Sequence, residues 1–184
     1  FRPKLVAARS YAVEVSALRG LRHLGFGRES SCGLRDDATA ACWGRNTHGQ
    51  LGDGTTANNP SPVKIINSGV TAVATGDNHS LFIKSDGSLW AMGQNQNGRL
   101  GDGTTTDRHS PVKIINSGGT AVATGDNHSL YTTTDGTLWA MGHNGSYQLG
   151  DGTTTDRSSP VRSYGPPRIT SPPGNRSLPV GDAL

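Results

Sequence analysis

The chain repeats itself every 49 residues. The pentapeptide GDGTT occurs three times at this spacing, beginning at Gly52, Gly101 and Gly150. Residues 52–100 and 101–149 are identical at 34 of 49 positions, so the period is unambiguous. A period of 40–50 residues is typical of units that cannot bury their own faces and must stack on copies of themselves.

Each repeat predicts four short β-strands, which in the middle copy are residues 62–67, 71–76, 80–85 and 89–93. All four are rich in apolar residues and bounded by Gly, Asn, Asp or Ser. No window of ten or more residues has helical spacing, although residues 12–22 come closest. The sequence therefore predicts an all-β fold of β-propeller repeats with four-stranded blades. About three blades are present, fewer than the four to eight that close a ring, so an open partial propeller is expected.

The third and fourth strands of each repeat predict a hairpin closed by an x-Asp-Gly turn. That register pairs Leu81 with Ala91 and, 49 residues earlier, Cys32 with Cys42. A directly opposed pair without backbone hydrogen bonds has its Cα atoms about 4.5 Å apart, within reach of a disulfide. Ala38 replaces the turn glycine in this copy, so the turn could differ and the register with it. The alternative to a disulfide is that Cys32 and Cys42 are two small buried side chains that are not bonded to each other. A disulfide would indicate an oxidising compartment.

Charge is uneven along the chain. Residues 1–45 hold eight Lys or Arg and four acidic residues, whereas the rest of the chain is nearly neutral. The basic residues of this segment are not interleaved with aromatic residues that could stack on bases. A solvated surface is therefore expected rather than a nucleic-acid-binding one. No stretch of 18 apolar residues predicts a membrane span.

Three strings carry a family resemblance: WGRNTHGQLGDGTT (43–56), GDGTTTDRHSPVKI (101–114) and GDGTTTDRSSPV (150–161). They resemble the repeat of the regulator of chromosome condensation, over roughly residues 12–162. The resemblance implies a propeller, most often of seven blades, that serves as a binding scaffold. Members of the family include a nuclear guanine-nucleotide exchange factor and bacterial surface proteins. The GDGTTTDR and LWAMG variants look more like the bacterial extracellular type, which implies an extracellular or cell-surface location.

Three segments are expected from this pattern. Residues 1–11 are a partial preceding segment, and residues 12–163 form three propeller-type repeats. Residues 164–184 are a Pro-rich linker that resembles the start of a truncated immunoglobulin-like domain of bacterial surface proteins, the alternative being a disordered tail. Because the chain begins partway through a repeat, it is expected to be part of a longer protein with further blades and an immunoglobulin-like domain.

The chemically reactive residues recur at the repeat period, which favours a structural role. His79-Ser80 and His128-Ser129 lack an acidic partner in fixed relation, so a buried imidazole that bonds a backbone carbonyl is expected rather than a catalytic pair. The Asp-Gly-Thr-Thr runs lack the ligand spacing of calcium loops, and no zinc spacing is present. We therefore expect no catalytic residue, no metal and no cofactor.

Nine of the 15 differences between residues 52–100 and 101–149 fall in one long loop of each repeat. Equivalent loops of stacked units, at 45–61, 94–110 and 143–159, should emerge on one face. Loops on a rigid scaffold commonly carry binding specificity. The candidate contact residues are Arg45, Thr47, His48, Gln94, Gln96, Asn97, Arg99, His143, Ser146 and Tyr147. The expected function is non-catalytic binding or adhesion toward a protein or glycan partner. The alternative is a guanine-nucleotide exchange factor or chromatin-associated regulator of the same repeat family.

Overall fold

The computed structural model describes residues 20–163, a part of the chain that contains twelve β-strands and no helix. The strands are β1 (Leu21–Phe26), β2 (Ser30–Arg35), β3 (Ala40–Gly44), β4 (Asn59–Ile66), β5 (Val70–Thr75), β6 (His79–Lys84), β7 (Leu89–Gly93), β8 (Arg108–Ile115), β9 (Gly119–Thr124), β10 (His128–Thr133), β11 (Leu138–Gly142) and β12 (Arg157–Arg162). They form three four-stranded antiparallel sheets, which we call blades 1, 2 and 3. The predicted all-β blades, in an unclosed arc, are confirmed. The segments predicted at 1–11 and 164–184 lie outside the described residues.

Each blade is offset from the sequence repeat by one strand. Blade 2 has the order β5-β6-β7-β8, so the strand that follows the long loop pairs with β7 of its own blade. The sequence analysis grouped residues 62–67 with the three strands after them, and this grouping is wrong. Residues 62–66 lie in β4, which pairs with β3 of blade 1. The long loop folds back along the edge of its own blade, whereas the short segment 67–69 carries the chain across to the next.

The predicted hairpin register is confirmed, since Leu81 pairs with Ala91 and Cys32 pairs with Cys42. The two cysteines are joined in a disulfide, with their Cα atoms 4.1 Å apart. Ala38 does not change the turn. Its φ is +57°, and its N–H donates to the carbonyl of Arg35 at 2.9 Å, as Gly87 does in the equivalent turn of blade 2.

The apolar core lies between the blades. The face of blade 1 buries Leu34, Leu51 and the disulfide against Val73, Phe82 and Met92 of blade 2. The opposite face of blade 2 buries Ile83 and three leucines against Tyr131 and Met141 of blade 3; the leucines are Leu81, Leu89 and Leu100. The innermost strands β1, β5 and β9 contact one another in succession, so the blades follow each other around one axis. No helix in residues 20–163 is long and apolar enough to cross a membrane.

Candidate binding surface

The surface that we call the loop face is made by three equivalent long loops, residues 45–58, 94–107 and 143–156. A buried asparagine organises each of them. In the second loop, the amide nitrogen of Asn95 donates to Asp102 Oδ1 at 3.0 Å and to the carbonyl of Thr104 at 3.1 Å. Its amide oxygen accepts the N–H of Leu100 at 3.0 Å. The same bonds recur around the two equivalent residues, Asn46 and Asn144. The recurring Asn, Asp and Thr residues therefore build the loops.

The loop carboxylates are occupied by hydrogen bonds from within the chain. Burial acts to raise the pKa of Asp151, but bonds from Thr153, Arg157 and Asn144 together lower this pKa to about 2. The pKa of Asp102 is lowered by the equivalent partners. Within residues 20–163, no three His, Cys, Asp or Glu side chains are grouped to hold a metal ion. The Asp-Gly-Thr sequences thus stabilise the conformation of the loops.

Neighbouring loops are joined to one another. His48 Nδ1 lies 3.0 Å from Asp107 Oδ2, which links the loops of blades 1 and 2. At the equivalent position, Asn97 donates its amide N–H to Asp156 Oδ2 at 2.9 Å, which links the loops of blades 2 and 3. The three loops therefore lie side by side on one face, as the repeat period predicts.

The candidate contact residues divide by exposure. Thr47, Gln96, Ser146 and Tyr147 are exposed. Five others are half-buried: His48 and Asn97, which link neighbouring loops, and Arg45, Gln94 and His143. Arg45 donates to Thr47 Oγ1 at 3.0 Å and is also paired with Glu29, so its guanidinium is fixed at the surface. The loop face therefore combines fixed polar groups with a few freely exposed side chains.

Arg99 does not belong to the contact surface. Only 2% of it is exposed, and it bridges blades 2 and 3. Its guanidinium donates to the side chains of Gln94 and Asn97 and to the carbonyl of Asp126, each at 3.1 Å. Burial lowers the pKa of Arg99, while the carboxylates of Asp107 and Asp77 oppose this effect. The sequence-based placement of Arg99 at the surface is wrong because the turn of the next blade covers it.

The histidine of blade 2 bonds a serine of blade 3. His79 Nε2 lies 2.8 Å from Ser129 Oγ, and Ser129 Oγ donates to the carbonyl of Arg99 at 2.8 Å. With its proton directed to that carbonyl, Ser129 accepts from His79 Nε2–H. His79 Nδ1 then has no hydrogen-bond partner among the described residues. Burial lowers the pKa of His79 to about 3. A buried serine that accepts a hydrogen bond from histidine is not an activated nucleophile, so this pair links blades.

A cavity of about 480 Å³ lies between the inner strands of blades 1 and 2, away from the loop face. Three of its lining residues are basic: Arg22, His23 and Arg35. Arg22 is exposed and donates to Asp36 at 2.7 Å. This ion pair is solvated, as expected for the basic first segment, and exposed pairs of this kind contribute little to stability.

Comparison with known protein families decides the affiliation of the chain. The family model for the regulator of chromosome condensation (RCC1) repeat matches residues 42–83, 86–131 and 135–180. These matches cover more than half of the sequence. The chain belongs to the RCC1 repeat family. A second model of the same repeat matches residues 22–50, 70–99 and 120–148 of this RCC1-repeat chain.

Solved structures show the same fold. The RCC1-repeat chain is similar to yeast RCC1 (Prp20), solved bound to Kap60, with a TM-score of 0.68 and 23% identity over 81% of this chain and 38% of that chain. It is also similar to human WBSCR16, with a TM-score of 0.67 and 27% identity over 78% of this chain and 39% of that chain. The chain therefore spans about two fifths of the length of these relatives. No curated protein matches it.

Proposed function

We propose that this RCC1-repeat chain is part of a non-catalytic binding scaffold that acts outside the cell and recognises a protein or glycan partner through the loop face. One observation carries the proposal. Seven of the 15 differences between residues 52–100 and 101–149 fall in the long loops, and two more fall on the first residues of the strands that follow, β4 and β8. The buried asparagines and the Asp and Thr residues that their side chains bond are the same in every copy.

Side chains that vary on a fixed support are suited to recognition. Thr47 and Gln96 occupy equivalent positions, are both exposed, and differ in hydrogen-bonding groups. Ser146 adds an exposed hydroxyl on the third loop. Because the loops are tied to each other by the His48 and Asn97 links, a partner could contact several of them without ordering them first.

The Cys32–Cys42 disulfide supports the extracellular part of the proposal, since disulfides persist in oxidising compartments and are rare in the cytosol and nucleus. The absence of catalysis is supported by the Ser129–His79 pair, which is buried and in which the serine hydroxyl donates to a backbone carbonyl rather than to the histidine. The location on a bacterial surface and the immunoglobulin-like character of residues 164–184 remain proposals that rest on the sequence resemblance.

An exchange factor or chromatin-associated regulator is the second candidate. It is favoured by the fold shared with Prp20p of Saccharomyces cerevisiae, whose structure was described together with its binding to Gsp1p and histones. The oxidation state of Cys32 and Cys42 in the protein isolated from its native source distinguishes the candidates. An intact disulfide supports the extracellular scaffold, and two free thiols support the intracellular regulator.

A binding experiment tests the role of the loop face. The immobilised full chain is probed with a glycan array and with secreted proteins, and each ligand is titrated against a triple variant, T47A/Q96A/S146A. The matched control S85A/T134A alters two exposed residues of hairpin turns, at the opposite ends of the strands. We expect the triple variant to lose about tenfold or more in affinity and the control to bind normally. Equal losses in both variants, or no ligand in either arm, contradict the proposal.

A further inference from the structure

The loops of blades 1 and 2 each place a glycine against the next blade. A Cβ atom on Gly49 would lie 2.5 Å from the Cα of His109, and one on Gly98 would lie 2.3 Å from the Cα of Ser158. His109 is in β8 and Ser158 is in β12, the outer strands of blades 2 and 3. Real Cβ atoms do not approach another backbone so closely. This loop position must therefore be glycine whenever the outer strand of the next blade lies as β8 and β12 do.

Blade 3 carries Tyr147 at this position. The residue has a φ of +62°, so the loop keeps the left-handed backbone that its glycine counterparts adopt. Its side chain is 64% exposed. The backbone course of the loop is thus retained, while a phenol ring is added on the side from which an outer strand would approach. Ser146, beside it, replaces the longer side chains of His48 and Asn97 that reach the next loop.

The rest of this face of blade 3 still resembles a blade-docking surface. Leu130, Leu138 and Leu149 stand where blade 2 has Leu81, Leu89 and Leu100, which are fully buried beneath blade 3. Leu138 is 37% exposed. This apolar centre differs from that of blade 2 in having Thr132 where blade 2 buries Ile83, and the backbone obstacle to a further blade is at the loop edge.

We propose that Tyr147 closes this face of blade 3 to any further blade whose outer strand follows the course of β8 and β12. A second copy of this chain, stacked in the same geometry, is excluded because its β4 would meet Tyr147 near Pro60, the counterpart of His109. A partner that covers Leu130 and Leu138 must leave room for the phenol at its outer edge. This inference is independent of the proposed function.

A designed fourth blade tests the proposal. A second copy of residues 115–163 is inserted directly after Ser163, which continues the 49-residue register. Amide hydrogen exchange is then measured in the added copy. With Tyr147 present, its β10 should exchange as an undocked sheet, whereas Y147G should slow that exchange by about 100-fold or more. Protection of the added blade with Tyr147 in place, or no gain in Y147G, overturns the proposal.

Two further variants separate docking from backbone strain. Y147N tolerates the left-handed region but keeps a Cβ atom, so it should relieve strain without allowing the fourth blade to dock. Conversely, Gly98→Tyr in the original chain should expose β9 and β10 of blade 3 to exchange while β2 stays protected by blade 2. Docking in Y147N, or a fully protected blade 3 in G98Y, contradicts the mechanism.

Discussion

At the scale of single residues, the copies reveal which conformations the fold requires. Ala38 occupies the left-handed region in a turn where the other blades have Gly87 and Gly136. The turn keeps its hydrogen bond despite the side chain. The backbone conformation is therefore set by the hairpin, and the residue must adapt to it.

Ala38→Gly should stabilise the chain by about 1 kcal/mol, because an L-residue with a Cβ is strained in the left-handed region by about 1–2 kcal/mol and glycine recovers part of this. Urea denaturation at neutral pH measures the change. The reverse control, Gly87→Ala, should destabilise, since its Cβ would lie 2.5 Å from the backbone nitrogen of Gly118. An unchanged or lower midpoint for Ala38→Gly would mean that the turn is not strained.

His79 should make the stability depend on pH. Its pKa is about 3 in the fold and near 6.5 in an unfolded chain. Above pH 6.5 both states are neutral; below it, only the unfolded state takes up a proton. Stability is therefore lost as the pH falls from 6.5 toward 3, by about 2 kcal/mol between pH 7 and 5.

Urea denaturation of His79→Gln at both pH values checks this expectation. The variant should be less stable at pH 7, because it loses the bond to Ser129, but it should lack most of the slope. The control His48→Gln leaves the buried imidazole in place and should retain the slope. A full slope in His79→Gln would assign the effect to another group.

At the scale of elements, the contacts between blades decide what a loop residue does. The disulfide illustrates this, since Cys32 and Cys42 stand where blade 2 has Leu81 and Ala91 and face blade 2 from the same side of the sheet. Each cysteine is 1% exposed. The bond therefore belongs to the packed interface rather than to the surface.

Reductant should leave this disulfide intact in the native chain, because thiol exchange requires access to a sulfur atom. Dithiothreitol followed by alkylation and mass spectrometry should show two free thiols only when urea is present. The double variant C32L/C42A, which copies blade 2, should fold and lose no more than about 3 kcal/mol. Rapid alkylation without denaturant would show that the interface opens readily.

Arg99→Ala should destabilise by about 2–4 kcal/mol, since it removes a buried side chain whose guanidinium donates to Gln94 of blade 2 and to the carbonyl of Asp126 of blade 3. Arg99→Gln, the residue of the other two copies, should cost less. The exposed control Gln96→Ala should change stability by no more than about 0.5 kcal/mol. Thermal unfolding separates these outcomes, and equal melting points for Arg99→Ala and Gln96→Ala would return Arg99 to the contact surface.

Sequence alone predicted the features that depend on local signals. The strands, the hairpin register and the Cys32–Cys42 pairing follow from apolar alternation and Asp-Gly turns, which act over a few residues. The burial of Arg99 could not be predicted, because its cover, Asp126, comes from a different blade. The offset between repeat and blade was also hidden, since a four-strand period can be divided at any of four points.

At the scale of the whole molecule, residues 20–163 form an arc with two interfaces between blades, and each terminal blade has one face that no other described blade covers. Leu24 and Phe26 are 40% and 67% exposed on blade 1, and Leu138 is exposed on blade 3. In stacked repeats, stability is approximately a sum of unit and interface contributions. The middle blade, which takes part in both interfaces, should therefore be the most stable.

Hydrogen exchange should rank the blades accordingly. Amides of β6 should exchange most slowly, and those of β10 should be faster because blade 3 has one neighbour among the described residues. Amides of β2 should exchange at an intermediate rate, because blade 1 also has one described neighbour but is held by the disulfide. Mass spectrometry of peptic peptides from the three strands measures the order. Uniform protection would mean that the blades unfold as a single cooperative unit.

The offset between repeat and blade also affects how the number of repeats can change during evolution. Any 49-residue segment between GDGTT motifs contains the outer strand of one blade and the three inner strands of the next. Unequal crossing-over between such similar stretches of coding sequence would add or remove one period wherever the exchange occurred. Every product would still consist of whole sheets, although each recombinant blade would combine strands of different ancestry. Copy number in such a lineage can therefore change without an intermediate that carries a broken blade.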